Sequence, residues 1–327
     1  MLVAVSGTKF SGVEIFIDLL TQKHGFELVS HKSRNAEEIL DYITRNYQHD
    51  MVIECDSLEL FNVLEKRPFL VHITLDAAIS LRLAIMDQSL GATKHEIETI
   101  TALEQHDYRE PFLRLREKAH IKFKILNSMQ GPSNLPSVAI VEDFKRRLSD
   151  ALDAQVQILR NPKPTKQDEL NPPLRPDWDT YFMRLAMLAA SRSNCMKRRV
   201  GCVIVRDDRV IATGYNGTPR HLRNCFNGGC TRCNGGDSHN LHTCLCLHAE
   251  ENALLEAGRD RVGKNAILYC DTCPCLTCSV KIVQIGIKEV VYSQSYSMDE
   301  ASFNVLREGG VKVRQFYFSE EPKIVII

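Results

Sequence analysis

The sequence predicts a two-domain protein in which both domains are α/β. Three observations carry this. Short apolar runs alternate with stretches of helical periodicity along the chain. Five prolines fall within residues 161–176, a density that blocks helix and central strand alike and marks an exposed linker. Cysteine usage also changes: eleven of the twelve cysteines follow residue 190, and Cys55 alone precedes it. A chain of 327 residues is comfortable for two domains. We therefore divide it into a domain at 1–160, a linker at 161–176 and a domain at 177–327.

The first domain opens on an apolar strand at residues 2–5. Gly7 and Gly12 bracket the turn that follows, and a helical pattern then reaches Leu20. Strand, glycine-rich turn and helix is the layout of a phosphate-binding loop. Val13 and Glu14 stand where such a loop needs lysine and a metal-binding hydroxyl, so nucleotide chemistry is not expected. A buried strand at 69–74 precedes Asp76 and a helix carrying Arg82. A later strand at 121–127 ends in Asn127, before a helix at 138–152. This order resembles the nucleotide-kinase and dephospho-coenzyme-A-kinase fold. The resemblance implies a P-loop-kinase-like α/β domain, here without catalysis and with a role in assembly or regulation.

The second domain begins with a helix, because Trp178, Tyr181, Phe182, Leu185, Leu188 and Ala189 recur at helical spacing. Apolar residues at 201–205 and 210–214 flank Asp207 and Asp208, which reads as a hairpin. A helix at 248–257 is stopped by Gly258, a strand covers 266–270, and a helix at 275–285 is closed by Gly286. Strands at 289–293 and 311–316 enclose a helix around 299–307. A hairpin followed by strand–helix units predicts a mixed sheet with helices on both faces, an α/β/α sandwich.

Composition excludes some roles. The chain is 44% hydrophobic and 25% charged, as folded proteins are, with a formal net charge of zero. Zero net charge argues against binding of polyanions by the whole protein and leaves local patches open. Residues 1–5 are apolar but lack the basic segment and cleavage site of a signal peptide. With no run of eighteen apolar residues, no membrane span is expected. A reducing compartment follows, the cytoplasm with the nucleus as a second location. There the cysteines serve as metal ligands and buried thiols, not as a disulfide framework.

Chemistry concentrates in two short segments. Residues 247–253 read Leu-His-Ala-Glu-Glu-Asn-Ala, and residues 273–278 read Cys-Pro-Cys-Leu-Thr-Cys. His248, Cys275 and Cys278 offer one imidazole and two thiolates, a Zn²⁺ site that leaves a fourth position open for water. Glu250 follows the histidine by two residues and is the proton carrier for that water. A purely structural site has no use for such a carboxylate. Each helix would start at its ligands, with Pro274 suited to a helix start.

His-x-Glu followed by Pro-Cys-x-x-Cys is the signature of zinc nucleobase deaminases. The chain carries further matching segments: Ser191-Arg-Ser-Asn-Cys195, Arg199-Val-Gly-Cys202, Gly214-Tyr-Asn-Gly-Thr-Pro219, Asn224-Cys225 and Val291-Tyr-Ser-Gln-Ser-Tyr296. Over residues 177–318 it resembles the zinc-dependent cytidine/deoxycytidylate deaminase family, in particular the fungal deoxycytidylate form with its N-terminal extension. That resemblance implies a cytidine-deaminase-like fold and hydrolysis of dCMP to dUMP and ammonia, supplying thymidylate synthesis. It also implies activation by dCTP, with Mg²⁺ on the triphosphate, inhibition by dTTP, and a homo-oligomer, commonly a hexamer. The loop of Tyr215, Asn216 and Gly217 would hold effector or substrate sugar and phosphate, and Asn252 would orient the sugar. Tyr292 and Tyr296 would line the substrate side or pack at strand ends. Nine Lys/Arg against two Asp between residues 192 and 232 suit anionic ligands. The alternative, a deaminase of polynucleotide cytosine or adenosine, needs stacking aromatics, and this basic stretch carries only Tyr215 and Phe226. Nucleic acid is therefore not the expected partner.

Residues 225–246 hold Cys225, Cys230, Cys233, His239, His242, Cys244 and Cys246 among glycines that build no core. Soft ligands in a glycine-rich loop point to a second, structural Zn²⁺. Relatives with such an insertion recruit the cysteine that here is Cys195. This implies Cys195, Cys225, Cys230 and Cys244 as ligands, with Cys233, His239, His242 and Cys246 as substitutes.

Overall fold

The computed structural model describes residues 1–30, 34–90, 97–127, 136–160, 172–235, 243–295, 300–318 and 323–327. Most of the expected linker, together with His239, His242 and Tyr296, lies outside the described residues. The chain forms two compact units, Met1–Arg175 with Ser319–Ile327, and Pro176–Phe318. Among the described residues no helix is long and apolar enough to cross a membrane.

Among the described residues the first unit is built on six strands, numbered along the chain: β1 (Leu2–Gly7), β2 (Glu27–Leu28), β3 (Met51–Glu54), β4 (Leu70–Ala77), β5 (Ile121–Ile125) and β11 (Lys323–Ile326). They lie in the order β2-β3-β1-β4-β5-β11, and every pairing is parallel. Parallel strands need helical crossovers, which cover both faces. Helices α1 (Val13–His24), α4 (Ile79–Leu90) and α7 (Ser137–Arg160) pack on the face presenting Val3 and Val5. Helices α2 (Ala36–Arg45), α3 (Leu58–Leu64) and α6 (Phe112–Glu117) pack on the face of Leu2 and Ala4. Residues alternating along β1 thus feed two separate cores. Helix α5 (Ile97–Asp107) supplies Asp107, which holds the Arg82 guanidinium at 2.6 and 3.1 Å, while Arg82 Nε donates to the Lys9 carbonyl at 2.8 Å.

Sequence patterns had pointed to β1, β4, β5 and the helices beside them, and had missed β2, β3 and β11. The last of these corrects a domain boundary. Residues 323–326 do not stay with the second unit but pair with β5, while Val325 and Ile327 pack on the first unit's core. Four residues, Lys323 to Ile326, cannot make a strand alone; here β5 supplies the ladder and the first unit's core the apolar face. Deleting residues 323–327 should cost the first unit about 2–3 kcal/mol, the worth of two partly buried aliphatic side chains. Urea unfolding of the truncated chain would show this as a lower midpoint for that unit, and an unchanged midpoint would make β11 dispensable.

One buried base should make the first unit acid-sensitive. His72 on β4 is fully buried, its Nε2 2.9 Å from Ser6 Oγ. Burial, aided by His120, holds its imidazole down at about 3. The unfolded chain therefore binds a proton below pH 6.5 that the folded unit refuses until about pH 3. Stability from this group is complete above pH 6.5 and falls with pH at up to about 1.4 kcal/mol per unit. Melting of wild type and His72→Gln from pH 7 to pH 4 should show a shallower decline in the variant; parallel curves would assign the acid sensitivity elsewhere.

The second unit begins with α8 (Trp178–Ser191), capped by the Asp177 carboxylate on the Thr180 amide. A hairpin of β6 (Gly201–Arg206) and β7 (Arg209–Tyr215) follows. After the short α9 (Thr231–Asn234) come α10 (Ala249–Val262), β8 (Ile267–Thr272), α11 (Leu276–Ile285), β9 (Glu289–Gln294), α12 (Glu300–Glu308) and β10 (Lys312–Gln315). The sheet order is β7-β6-β8-β9-β10, antiparallel across β7-β6-β8 and parallel across β8-β9-β10, the mixed sheet the sequence predicts. Gly258 stands at φ 65°, ψ 160° and breaks the regular helix where expected, though helical residues resume to Val262.

Alternation again separates two layers. Val203 and Val205 meet Phe182, Met183 and Ala186 of α8, whereas Cys202 and Ile204 meet Ala249 and Ala253 of α10 and Ile282 of α11. Arg314 of β10 fixes α8 by two 2.6 Å bonds to Asp179, and its Nε donates to Glu289 at 2.5 Å. Two glycines let helices seat directly on strands. A Cβ at Gly201 would lie 2.0 Å from the Ala186 carbonyl of α8, and one at Gly214 would lie 2.2 Å from the Ala249 carbonyl of α10.

Candidate active site and metal centres

The site forms where β7 and β8 end and α10 and α11 begin. His248 is the residue capping the start of α10, and Cys275 caps α11, both in extended backbone with no side-chain capping bond. Their side chains are thus left for other partners, and Cys278 joins them from the first turn of α11. His248 Nδ1 lies 3.3 Å from Cys275 Sγ and 3.4 Å from Cys278 Sγ. One nitrogen and two sulfurs within 4.8 Å of one another match the reach of a tetrahedral zinc. Both helix N-termini point their partial positive charge at this spot, which favours thiolate. The Cys278 hydrogen bond, opposed by burial and aided by His248, pushes the Cys275 thiol down to about 3. The donor set, its spacing and the thiolate character of Cys275 fit Zn²⁺.

Glu250 sits one helical step inside α10 and is only 4% exposed. Burial pushes its carboxyl up to about 7, against the pull of its own backbone amide and of His248. A carboxyl balanced near neutrality beside an open metal position can accept and return a proton in one cycle. It belongs to no ligand group among the described residues.

The loop after β7 is pinned to this centre. Gly217 and Leu247 exchange backbone hydrogen bonds at 3.2 and 2.9 Å, which places the loop next to His248. Asn252 Nδ2 donates to the Tyr215 carbonyl at 3.0 Å from the next turn of α10. Asn216 is buried, its Oδ1 accepting from the Val200 amide at 2.8 Å and its Nδ2 donating to the Arg198 carbonyl at 2.8 Å. In this conformation both asparagines shape the loop through backbone groups. Tyr292 lies in the second half of β9, buried, with its ring 6.3 Å from Phe303.

Sequence reasoning gave no role to several groups that build this wall. Ser193 Oγ donates to the Asn216 carbonyl at 2.8 Å, and Arg198 Nη2 donates to Gln294 Oε1 at 2.8 Å. Asp271 and Thr272, at the end of β8, are buried too, and burial raises the Asp271 carboxyl. Their signal was position, at the carboxyl end of a central strand, which is visible only once the sheet is assembled.

The cysteines of the insertion gather into one cluster with Cys195. Two groups of four thiols each lie within 4.8 Å: Cys195, Cys225, Cys233 and Cys246, and Cys230, Cys233, Cys244 and Cys246. The four expected ligands are thereby divided, Cys195 and Cys225 in one group and Cys230 and Cys244 in the other. Cys233 and Cys246, taken from sequence only as substitutes, are common to both. The sequence could not show this, because the spacing of six cysteines does not say which sulfurs meet.

A family model for the cytidine and deoxycytidylate deaminase zinc-binding region matches residues 176–294. Over its whole length the chain is 59% identical to a deoxycytidylate deaminase of Saccharomyces cerevisiae, covering 100% of both chains. It is 43% identical to one of Schizosaccharomyces pombe, covering 96% of this chain and 97% of that one. Among solved structures, the dCMP deaminase of cyanophage S-TIM5 in complex with dCMP and dUMP is 31% identical. That match covers 44% of this chain and 99% of the phage chain, with a TM-score of 0.36.

Proposed function

The chain belongs to the deoxycytidylate deaminase family, and from that premise we propose that it is a zinc-dependent hydrolase converting dCMP and water to dUMP and ammonia. The observation that carries this reading is the buried Glu250 carboxylate beside a His248, Cys275 and Cys278 donor set. These three residues would hold Zn²⁺, which would supply a water with its pKa lowered to about 7. Glu250 is placed to take a proton from the attacking water, whose oxygen adds to C4, and to hand it to ring nitrogen N3. A second transfer through the same carboxylate protonates the departing amine. Residues 215–217 after β7, held by Leu247 and Asn252, form the edge against which the sugar and phosphate bind. Tyr215 and Tyr292 are its side-chain contributors, Asn216 acts through the backbone it fixes, and Tyr296 is assigned by resemblance.

The same family supports the regulatory reading. dCTP, carrying Mg²⁺, activates and dTTP inhibits a homo-oligomer, a hexamer, in the cytoplasm. The first unit, with its all-parallel sheet, is read as a P-loop-kinase-like domain serving assembly or regulation, because Glu14 occupies the first turn of α1 and Arg82 is already engaged by Asp107. The cysteine cluster holds structural zinc, since its apolar neighbours are other cysteines and little else could hold the insertion together.

Ammonia release from dCMP, with and without dCTP, tests the function. Release that dCTP stimulates and zinc chelation abolishes supports it in full. Release indifferent to dCTP removes the regulatory part. No release from dCMP, with release from single-stranded polynucleotide, replaces the substrate.

A further inference from the structure

The geometry of the cysteine cluster points to two metal ions in place of one. We propose that Cys195, Cys225, Cys230, Cys233, Cys244 and Cys246 form a binuclear Zn²⁺ centre in which Cys233 and Cys246 bridge the two ions. This rests on the reading of the insertion as a structural zinc site and extends it.

Distances come first. Zn–S bonds of about 2.3 Å in a tetrahedron set neighbouring sulfurs about 3.8 Å apart. The observed separations are 3.9 Å for Cys195–Cys233, 3.7 Å for Cys233–Cys244, 3.9 Å for Cys230–Cys244 and 4.0 Å for Cys233–Cys246. None is near the roughly 2.05 Å of a disulfide, and all six are free thiols. These are the edges of metal tetrahedra.

Sharing comes second. Cys233 stands at tetrahedral-edge distance from Cys195 in one group and from Cys244 in the other, as a bridging sulfur must. Cys246 is the second member common to both groups. Six sulfurs with two shared supply four ligands to each of two ions. A single ion would leave two sulfurs as idle thiols packed against a dianionic cage. Adding a second Zn²⁺ while ionising those two leaves the formal charge at minus two, so the fuller cluster carries no extra electrostatic penalty.

The surrounding polar groups suit thiolates. The Met196 amide donates to Cys225 Sγ at 3.5 Å and the Leu245 amide to Cys230 Sγ at 3.4 Å. Asn234 Nδ2 reaches Cys225 Sγ at 4.0 Å. Cys225 and Cys230, the terminal ligands on opposite sides, are both fully buried.

Metal content of the full chain, purified with zinc and dialysed against metal-free buffer, decides the matter. We expect three Zn²⁺ per chain, one catalytic and two in the cluster. Cys278→Ala should remove the catalytic ion and leave two. Cys195→Ser and Cys244→Ser should each remove one cluster ion, because each leaves the other group of four complete. Two Zn²⁺ per wild-type chain would overturn the bridged pair and leave a single structural ion. In that case one of the two serine variants would keep the wild-type content. One Zn²⁺ per chain would overturn the structural reading itself. Should a variant fold poorly, ¹¹³Cd NMR of the cadmium-loaded wild type gives the same decision. Two resonances in the all-thiolate region support the pair, and a single one there overturns it.

Discussion

Replacing Glu250 with glutamine should lower turnover by about 10⁴-fold, the upper end for general acid–base catalysis, because both proton transfers pass through one carboxylate. Zinc content should not change. Glu250 lies outside the His248, Cys275 and Cys278 group, and glutamine keeps its volume in a site only 4% exposed. Neutral glutamine can still hydrogen-bond the substrate ring, so KM should move far less than kcat. The measurements are ammonia release from dCMP and metal content on the same preparation. Loss of zinc together with activity would make Glu250 a structural support of the metal site. Activity within tenfold of wild type would mean that another group carries the proton, and buried Asp271 would be the first to examine.

That proposal could be made from the sequence alone because its chemistry is local. His248 and Glu250 lie two residues apart at the start of one helix, and Cys275 and Cys278, three apart, share a face at the start of another. Hairpin, helices and parallel strands of the second unit were legible for the same reason, since each announces itself within a dozen residues. The rest depended on contacts distant in sequence. Strand β3, only four residues, has no alternation long enough to read, and β11 becomes a strand through its pairing with Ile121–Ile125 some two hundred residues earlier. Asn35 and Glu38 form a capping box at the start of α2, a local signal that the sequence reading passed over because the strands on either side of it were unread. In the cysteine cluster the residue types told of metal, while the membership of Cys233 and Cys246 in both groups was set by how α9 and residues 244–246 come together with Cys195. Asn216 shows the reverse case. Its place in a family-like motif suggested ligand contact, and its amide is found tying residues 198 and 200 to the loop. It acts on the site through the backbone it fixes.

Gly214→Ala should damage the catalytic centre although residue 214 touches neither metal nor substrate. A Cβ there would stand 2.2 Å from the Ala249 carbonyl, 2.5 Å from the Ala253 amide and 2.9 Å from the Ala253 methyl. Two of these are backbone atoms of α10, which no rotamer change can move aside. The helix must lift from β7, at about 3 kcal/mol or more, the upper range for overpacking. Ala249 lies between His248 and Glu250, so that displacement passes directly to a metal ligand and the proton carrier. A shift near 1 Å at reacting groups costs about 10²-fold in rate, and the His248 imidazole would leave its place 3.3 Å from Cys275. Gly201→Ala provides the contrast. Its Cβ would meet the Ala186 carbonyl of α8 at 2.0 Å, a clash of equal severity on the opposite face of the sheet. Both variants should melt earlier than wild type, but only Gly214→Ala should lose catalytic zinc in dialysis. Equal zinc retention in the two would mean that α10 absorbs the clash away from its first turn. The intimate seating of β7 on that helix would then stabilise the fold without setting the geometry of the site.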